Sequence, residues 1–136
     1  MIIDASALLA VVLAEPDAAR YAKAIARAAD PRIPSVTWFE ASMQVDAGGD
    51  AIAVSRFDDF VQDFGLRIIP FTAEHARHAR IGRRVYGRHN HPARLSFGDC
   101  LVYGVAKAER QPLLYKGAHL SSGDFSQTDI EPALKD

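Results

Sequence analysis

Met1-Ile2-Ile3-Asp4-Ala5-Ser6-Ala7-Leu8-Leu9-Ala10-Val11-Val12-Leu13 opens the chain, and its reading decides what kind of fold to expect. Three apolar residues end at an acid, and a run rich in alanine and leucine follows at once. The first piece reads as a short strand buried on both faces, the second as a helix over Ala5–Leu13. A strand that passes straight into a helix is the first half of a βαβ unit.

The same alternation continues outward from this start. Glu15-Pro16-Asp17 interrupts the first helix, and a second spans about Ala18–Ala29 before Asp30-Pro31 stops it. Ile33 and Val36, around Pro34 and Ser35, suit a short strand. A helix then starts near Thr37, carries Trp38, Phe39, Ala41, Met43 and Val45, and ends at Gly48-Gly49. Ala51–Phe64 has apolar residues near helical spacing. Leu66–Ile69 reads as a strand, Thr72–Tyr86 as a helix capped by Thr72, and Gly87–Leu95 as a polar loop. Ser96–Glu109 is a helix, Leu113–Tyr115 a strand, Lys116–Gly123 a loop, and Asp129-Ile130 the start of a last short strand. Short apolar strands alternating with helices predict an α/β domain whose parallel sheet is covered on both faces.

The chain has 136 residues, 49% of them hydrophobic and 24% charged, which suits one compact domain over 1–136 with a real core. Sixteen basic residues against seventeen acidic ones leave a formal net charge of -1. Bulk charge therefore does not advertise a nucleic-acid binder; such binding needs a local patch. A single cysteine, Cys100, allows no internal disulfide and suits a small buried residue in a cytoplasmic protein. No signal peptide is apparent, and no apolar run approaches the roughly 20 residues of a spanning helix.

Four acids stand at the edges of these elements: Asp4 after the first strand, Glu40 in the first turn of the third helix, Asp99 in the first turn of the Ser96 helix, and Asp124 after the Leu113–Tyr115 strand. Ligands of an open parallel sheet bind beyond the carboxyl ends of its strands. A carboxylate cluster there calls for a cation, and hard oxygen ligands suit Mg²⁺ or Mn²⁺. Such an ion supports phosphodiester hydrolysis. Each acid also has a plain structural reading. Thr37-Trp38-Phe39-Glu40 and Ser96-Phe97-Gly98-Asp99 have the form of capping boxes, Asp4 is placed to cap a helix, and Asp124 to close a turn.

Between Glu74 and Asp99 no acid occurs, while Arg77, Arg80, Arg83, Arg84, Arg88 and Arg94 fall there with His75, His78, His89 and His91. This is the local basic patch that the net charge conceals. Arg84, Arg88 and Arg94 are the candidates for meeting an RNA backbone, with Lys116 a further one after its strand and Tyr86 a base-stacking ring. Trp38 and Phe39 read as core.

Read together, the local sequences resemble the PIN-domain ribonucleases, in particular the VapC toxins of VapBC toxin–antitoxin pairs. Ile2-Ile3-Asp4-Ala5-Ser6 resembles the family's opening, and Trp38-Phe39-Glu40-Ala41 its second acidic motif. Leu95-Ser96-Phe97-Gly98-Asp99-Cys100 resembles the third, and Gly123-Asp124-Phe125-Ser126-Gln127-Thr128-Asp129-Ile130 the fourth region. The resemblance implies a three-layer α/β/α domain and a Mg²⁺-dependent endoribonuclease. It implies that Asp4, Asp99 and Asp124 surround the metal, that Glu40 completes the quartet, and that Ser6 holds the first carboxylate. It further implies an RNA substrate, a cognate VapB-type antitoxin and a homodimer formed by the third helix and its neighbours. The chain departs from the family in one place. Ala118 to Ser122 separate Lys116-Gly117 from Asp124, which is expected to shift Asp124 and makes Asp129 the alternative fourth acid. Two other readings compete: a phosphatase with an aspartate nucleophile, which would want a second Asp where Ser6 stands, and a PIN-fold scaffold without catalysis.

Overall fold

The computed structural model describes residues 1–117 and 123–135. Four strands, β1 (Ile2–Ile3), β2 (Arg32–Pro34), β3 (Arg67–Ile69) and β4 (Leu113–Leu114), form one parallel sheet in the order β3-β2-β1-β4. Ile2 pairs with Arg32 on one side and Leu113 on the other, and Ile3 pairs with Leu114. The helices are α1 (Ala5–Val12), α2 (Ala18–Arg27), α3 (Ser35–Gly48), α4 (Ala51–Asp63), α5 (Ala73–Tyr86) and α6 (Phe97–Glu109).

Side chains alternate across a strand, and here the alternation divides the core in two. Ile3, Ile33 and Leu114 join a cluster with α1, α2, α3 and α4, including Leu8, Val12, Ile25, Val45 and Phe57. Ile2, Ile69 and Leu113 join a second cluster with Leu95, Val102, Tyr103 and Val105, mostly from α6. Helices thus cover both faces of a buried sheet, the three-layer α/β/α arrangement expected. Helix α5 lies against α6, where a side chain on Gly104 would meet the Ala79 amide nitrogen at 2.7 Å.

Several boundaries differ from expectation. The third helix begins at Ser35, directly after Pro34, whose extended backbone (φ -61, ψ 142) takes the N-cap place without a side-chain bond. Val36 is therefore helical rather than part of β2. Thr37-Trp38-Phe39-Glu40 is no capping box, because Thr37 is already inside the helix and buried. Phe39 is not core: it is 59% exposed, and only its neighbour Trp38 packs inward, with ring centroid 5.3 Å from Phe57. Asp129-Ile130 forms no strand; after a 3-10 turn at Phe125–Gln127, the tail meets the sheet by one bridge between Pro132 and Leu113. The inserted residues 118–122 lie outside the described part of the chain. Among the described residues, no helix is long and apolar enough to cross a membrane.

Candidate active site

The carboxyl end of β1 delivers Asp4 to the N-terminus of α1, where it caps the helix and becomes buried, 6% exposed. Its Oδ2 accepts hydrogen bonds from the Ser6 amide at 3.1 Å and the Ser6 hydroxyl at 2.5 Å. The Ser6 oxygen in turn accepts from the Lys116 amide at 2.9 Å. The chain just after β4 thereby holds Ser6, and Ser6 holds Asp4. Burial is the main reason that the Asp4 carboxyl is pushed up to about 6; the negative charge of Asp99 adds to it, while the Ser6 bond opposes it.

Asp99 stands in the first turn of α6, 5% exposed. Ser96 and Asp99 do form a reciprocal capping box: the Asp99 amide donates to Ser96 Oγ at 3.2 Å, and the Ser96 amide donates to Asp99 Oδ2 at 2.8 Å. The same Oδ2 accepts from the Gly123 amide at 2.6 Å. The capping and functional readings of this residue are thus compatible, since the bonds that fix the helix start also aim the carboxylate.

Glu40 comes from α3 and shares a cleft of about 1010 Å³ with Asp4, Ser6 and Asp99. Burial first, then the charges of Asp4 and Asp99, push its carboxyl up to about 7. Gly98 makes room for it, because any Cβ at that position would collide with the Glu40 carboxylate. Three of the four expected acids are therefore brought together at one end of the sheet.

Asp124 is not among the residues lining that cleft. It caps the 3-10 turn, and its oxygens accept from the Ser126 amide (3.0 Å), the Ser126 hydroxyl (2.6 Å) and Gln127 Nε2 (3.2 Å). The Ser126 bond leads the influences that hold its carboxyl below the ordinary range. Asp129 does not take its place in the lining either. Its carboxylate accepts from the Tyr103 hydroxyl and Lys107 Nζ, both at 2.9 Å.

The expected basic contacts divide in the same way. Arg88 lines the cleft, as do Arg80, Arg83 and His89. Arg84, Arg94 and Lys116 do not. The Lys116 ammonium pairs with Glu15 and Asp17, so its contribution to the site is its backbone amide. Arg84 and Arg94 are exposed but are not among the lining residues. Tyr86 packs edge-on to His91 and against Tyr103 rather than over the acids. Cys100 is buried, and burial with the Asp99 charge pushes its thiol up to about 11, the wrong direction for a nucleophile.

Arg80 and Arg83 fall in the basic stretch with nothing local to single them out, and no motif marks Gln44 or Phe97 as site residues. Their signal lies in helical spacing. Ala76, Ala79, Arg80 and Arg83 make one face of α5, and Glu40 and Gln44 stand one turn apart on α3.

The donor set fits a hard divalent cation. Asp4 and Asp99 are buried and Glu40 is half-buried, and the nearby negative charge helps to raise the carboxyls of Asp4 and Glu40, a setting that favours a bound cation. Among the described residues, however, no three acidic, histidine or cysteine side chains already form a cage for an ion. The acids share a cleft rather than a closed coordination shell.

A PIN-domain family model matches residues 1–125. Ribonuclease VapC28 of Mycobacterium tuberculosis is 37% identical over 135 residues, 98% of each chain. Ribonuclease VapC36 of the same organism is 38% identical over 132 residues, 96% of this chain and 91% of the other. Among solved structures, the chain is similar to M. tuberculosis VapC20, described as a sarcin-ricin loop cleaving toxin, with a TM-score of 0.71 and 14% identity over 95% of each chain. A toxin–antitoxin complex from Klebsiella pneumoniae gives 0.68 and 16% over 94% of this chain and 92% of the other. Those two likenesses bear on the fold; the family rests on the full-length sequence matches. With a PIN model over most of its length and VapC ribonucleases as full-length relatives, the chain belongs to the PIN-domain family.

Proposed function

We propose that this chain is a Mg²⁺-dependent endoribonuclease, with Mn²⁺ able to substitute, and that it acts in the cytoplasm as the toxin of a VapBC-type pair. The observation that carries this reading is the meeting of Asp4, Glu40 and Asp99 in one cleft, where burial and mutual repulsion raise the proton affinity of Asp4 and Glu40. Asp4 and Asp99 would hold the ion, with Glu40 completing the site. Asp124 enters only by its place in the sequence, because its carboxylate is engaged by its own turn. A bound Mg²⁺ would neutralise these acids, favour hydroxide over water and offset charge on the phosphoryl group. Glu40, half-buried in the same cleft as Asp4 and Asp99, would be the carboxylate to take a proton from the attacking water. Ser6 keeps the Asp4 carboxylate in place, and Arg80, Arg83 and Arg88 supply positive charge for the RNA backbone.

The names of the relatives support an RNA substrate, and the Klebsiella complex supports a cognate VapB-type antitoxin as inhibitor. Phe39, Met43 and Ile52, more than half exposed on α3 and α4, give an apolar face suited to a second copy, hence a homodimer. Purified protein is expected to cleave RNA in Mg²⁺ or Mn²⁺ and to stop on addition of EDTA; cleavage that survives chelation refutes the metal mechanism. Expression alone is expected to arrest a bacterial host, and co-expression of the partner gene to relieve it. Harmless accumulation of soluble, intact protein would remove the toxin role.

A further inference from the structure

The lining of the cleft combines three chemistries. Asp4, Glu40 and Asp99 supply negative charge, α5 supplies Arg80 and Arg83 with Arg88 in the loop after it, and α1 supplies Leu9 with Leu13 just beyond its end. The same lining includes Phe97, the first residue of α6, which at 81% exposed is the most exposed large apolar side chain among the described residues. No packing role accounts for it. The residues that follow are committed to the site: Gly98 receives the Glu40 carboxylate and Asp99 is held by Ser96 and Gly123. An exposed aromatic ring at a helix start, lining the same cleft as the acids and as Arg80, Arg83 and Arg88, has the chemistry of a base platform. Bases stack on aromatic faces whatever their identity, while arginines follow the backbone.

We propose that Phe97 is the stacking platform for the unpaired nucleobase beside the bond to be cut, with Arg80 and Arg83 holding phosphates of the same strand. The inference rests on the ribonuclease reading and adds to it the residues that position the substrate. Phe97 is a positioning residue, touching the base and not the reacting phosphate. The charge on α5 favours a polyanion over an apolar protein surface as the occupant of this end of the cleft.

The test uses Asp99→Asn protein in EDTA, so that binding is read without turnover, and a fluorescent single-stranded RNA containing the cleavage site. Phe97→Ala is expected to weaken binding about ten-fold and Phe97→Trp to restore it. An RNA that is abasic at the nucleotide next to the cut is expected to bind equally well with or without the Phe97→Ala change, because the partner of the ring is then missing. In turnover by otherwise native protein, the loss from Phe97→Ala falls on KM more than on kcat. Arg80→Gln with Arg83→Gln is expected to weaken binding and flatten its salt dependence. Equal binding of the intact RNA by Phe97 protein and its alanine variant overturns the proposal while leaving the nuclease reading intact. So does a change in oligomeric state or antitoxin capture with RNA binding unmoved, which would assign the ring to a protein partner. Failure of the unsubstituted chain to bind or cut any RNA sinks the underlying reading instead.

Discussion

Asp4 and Asp124 sit in nearly the same local motif and meet opposite fates. Each caps a helical turn, and each accepts from the amide and the hydroxyl of a serine two residues on, at 3.1 and 2.5 Å for Asp4 and 3.0 and 2.6 Å for Asp124. Yet the carboxyl of Asp4 is raised and that of Asp124 lowered. The Asp-x-Ser turn by itself stabilises the charged form. At Asp4 this is outweighed by burial in the cleft and by Asp99 nearby. At Asp124 the residue is more open and the turn prevails. A capping motif therefore says how a carboxylate is held, while the tertiary surroundings decide whether it attracts a cation.

The largest expected effect separates the two acids directly. Asp4→Asn should lower RNA cleavage by about a hundred-fold or more, the scale of losing a charged metal ligand. Asp124→Asn should cost only a few-fold, with folding checked by circular dichroism in both. Equal losses would place Asp124 at the metal after all and erase the contrast. The serines give the next test. Ser6→Ala breaks the connection from Lys116 to Asp4 and should weaken Mg²⁺ about ten-fold, read by titrating activity with the metal. Ser126→Ala should leave that titration unmoved and cost about 1 kcal/mol or less of stability, as loss of a cap does.

The smallest effect is thermal. A carboxyl whose folded pKa is raised binds more protons folded than unfolded, so the fold loses stability as pH climbs from its unfolded value near 4 through its folded one. For Asp4 and Glu40 that window ends at about 6 and about 7. In chelator, Tm should fall across it and recover at pH 8 on adding Mg²⁺, and Asp4→Asn should shrink the fall. Asp124 contributes with the opposite sign, stabilising above its unfolded pKa and losing that support in acid. If Asp4→Asn leaves the profile unchanged, burial of that charge carries no cost.

The strands are readable because they depend on short-range signals. Ile2-Ile3 and Leu113-Leu114 read as short apolar strands, but strand order and register are long-range, and only the folded sheet pairs Ile2 with Leu113 and Ile3 with Leu114 and so puts each pair on one face. Asp4, Glu40 and Asp99 are also legible, though only the folded chain shows that they share a cleft. Thr37 misleads because Thr-x-x-Glu describes a helix start and a helix interior equally well; Pro34, ending a strand, begins the helix two residues sooner. Arg80 and Arg83 cannot be preferred to Arg84 by sequence, since the choice depends on which face α5 turns toward the acids. Asp124 is hardest, because its neighbours Ser126 and Gln127 satisfy the carboxylate within the turn and no sequence pattern reveals that competition.

The amides of Lys116 and Gly123 act on the two innermost carboxylates, one through Ser6 and one directly. They stand like two moorings at either end of residues 117–122. Chain added between fixed moorings costs little, roughly 0.6 kcal/mol for each doubling of length. A change in the number of residues between Lys116 and Gly123 is therefore cheap in chain entropy, and the two amides that reach Asp4 and Asp99 lie outside the stretch that would change.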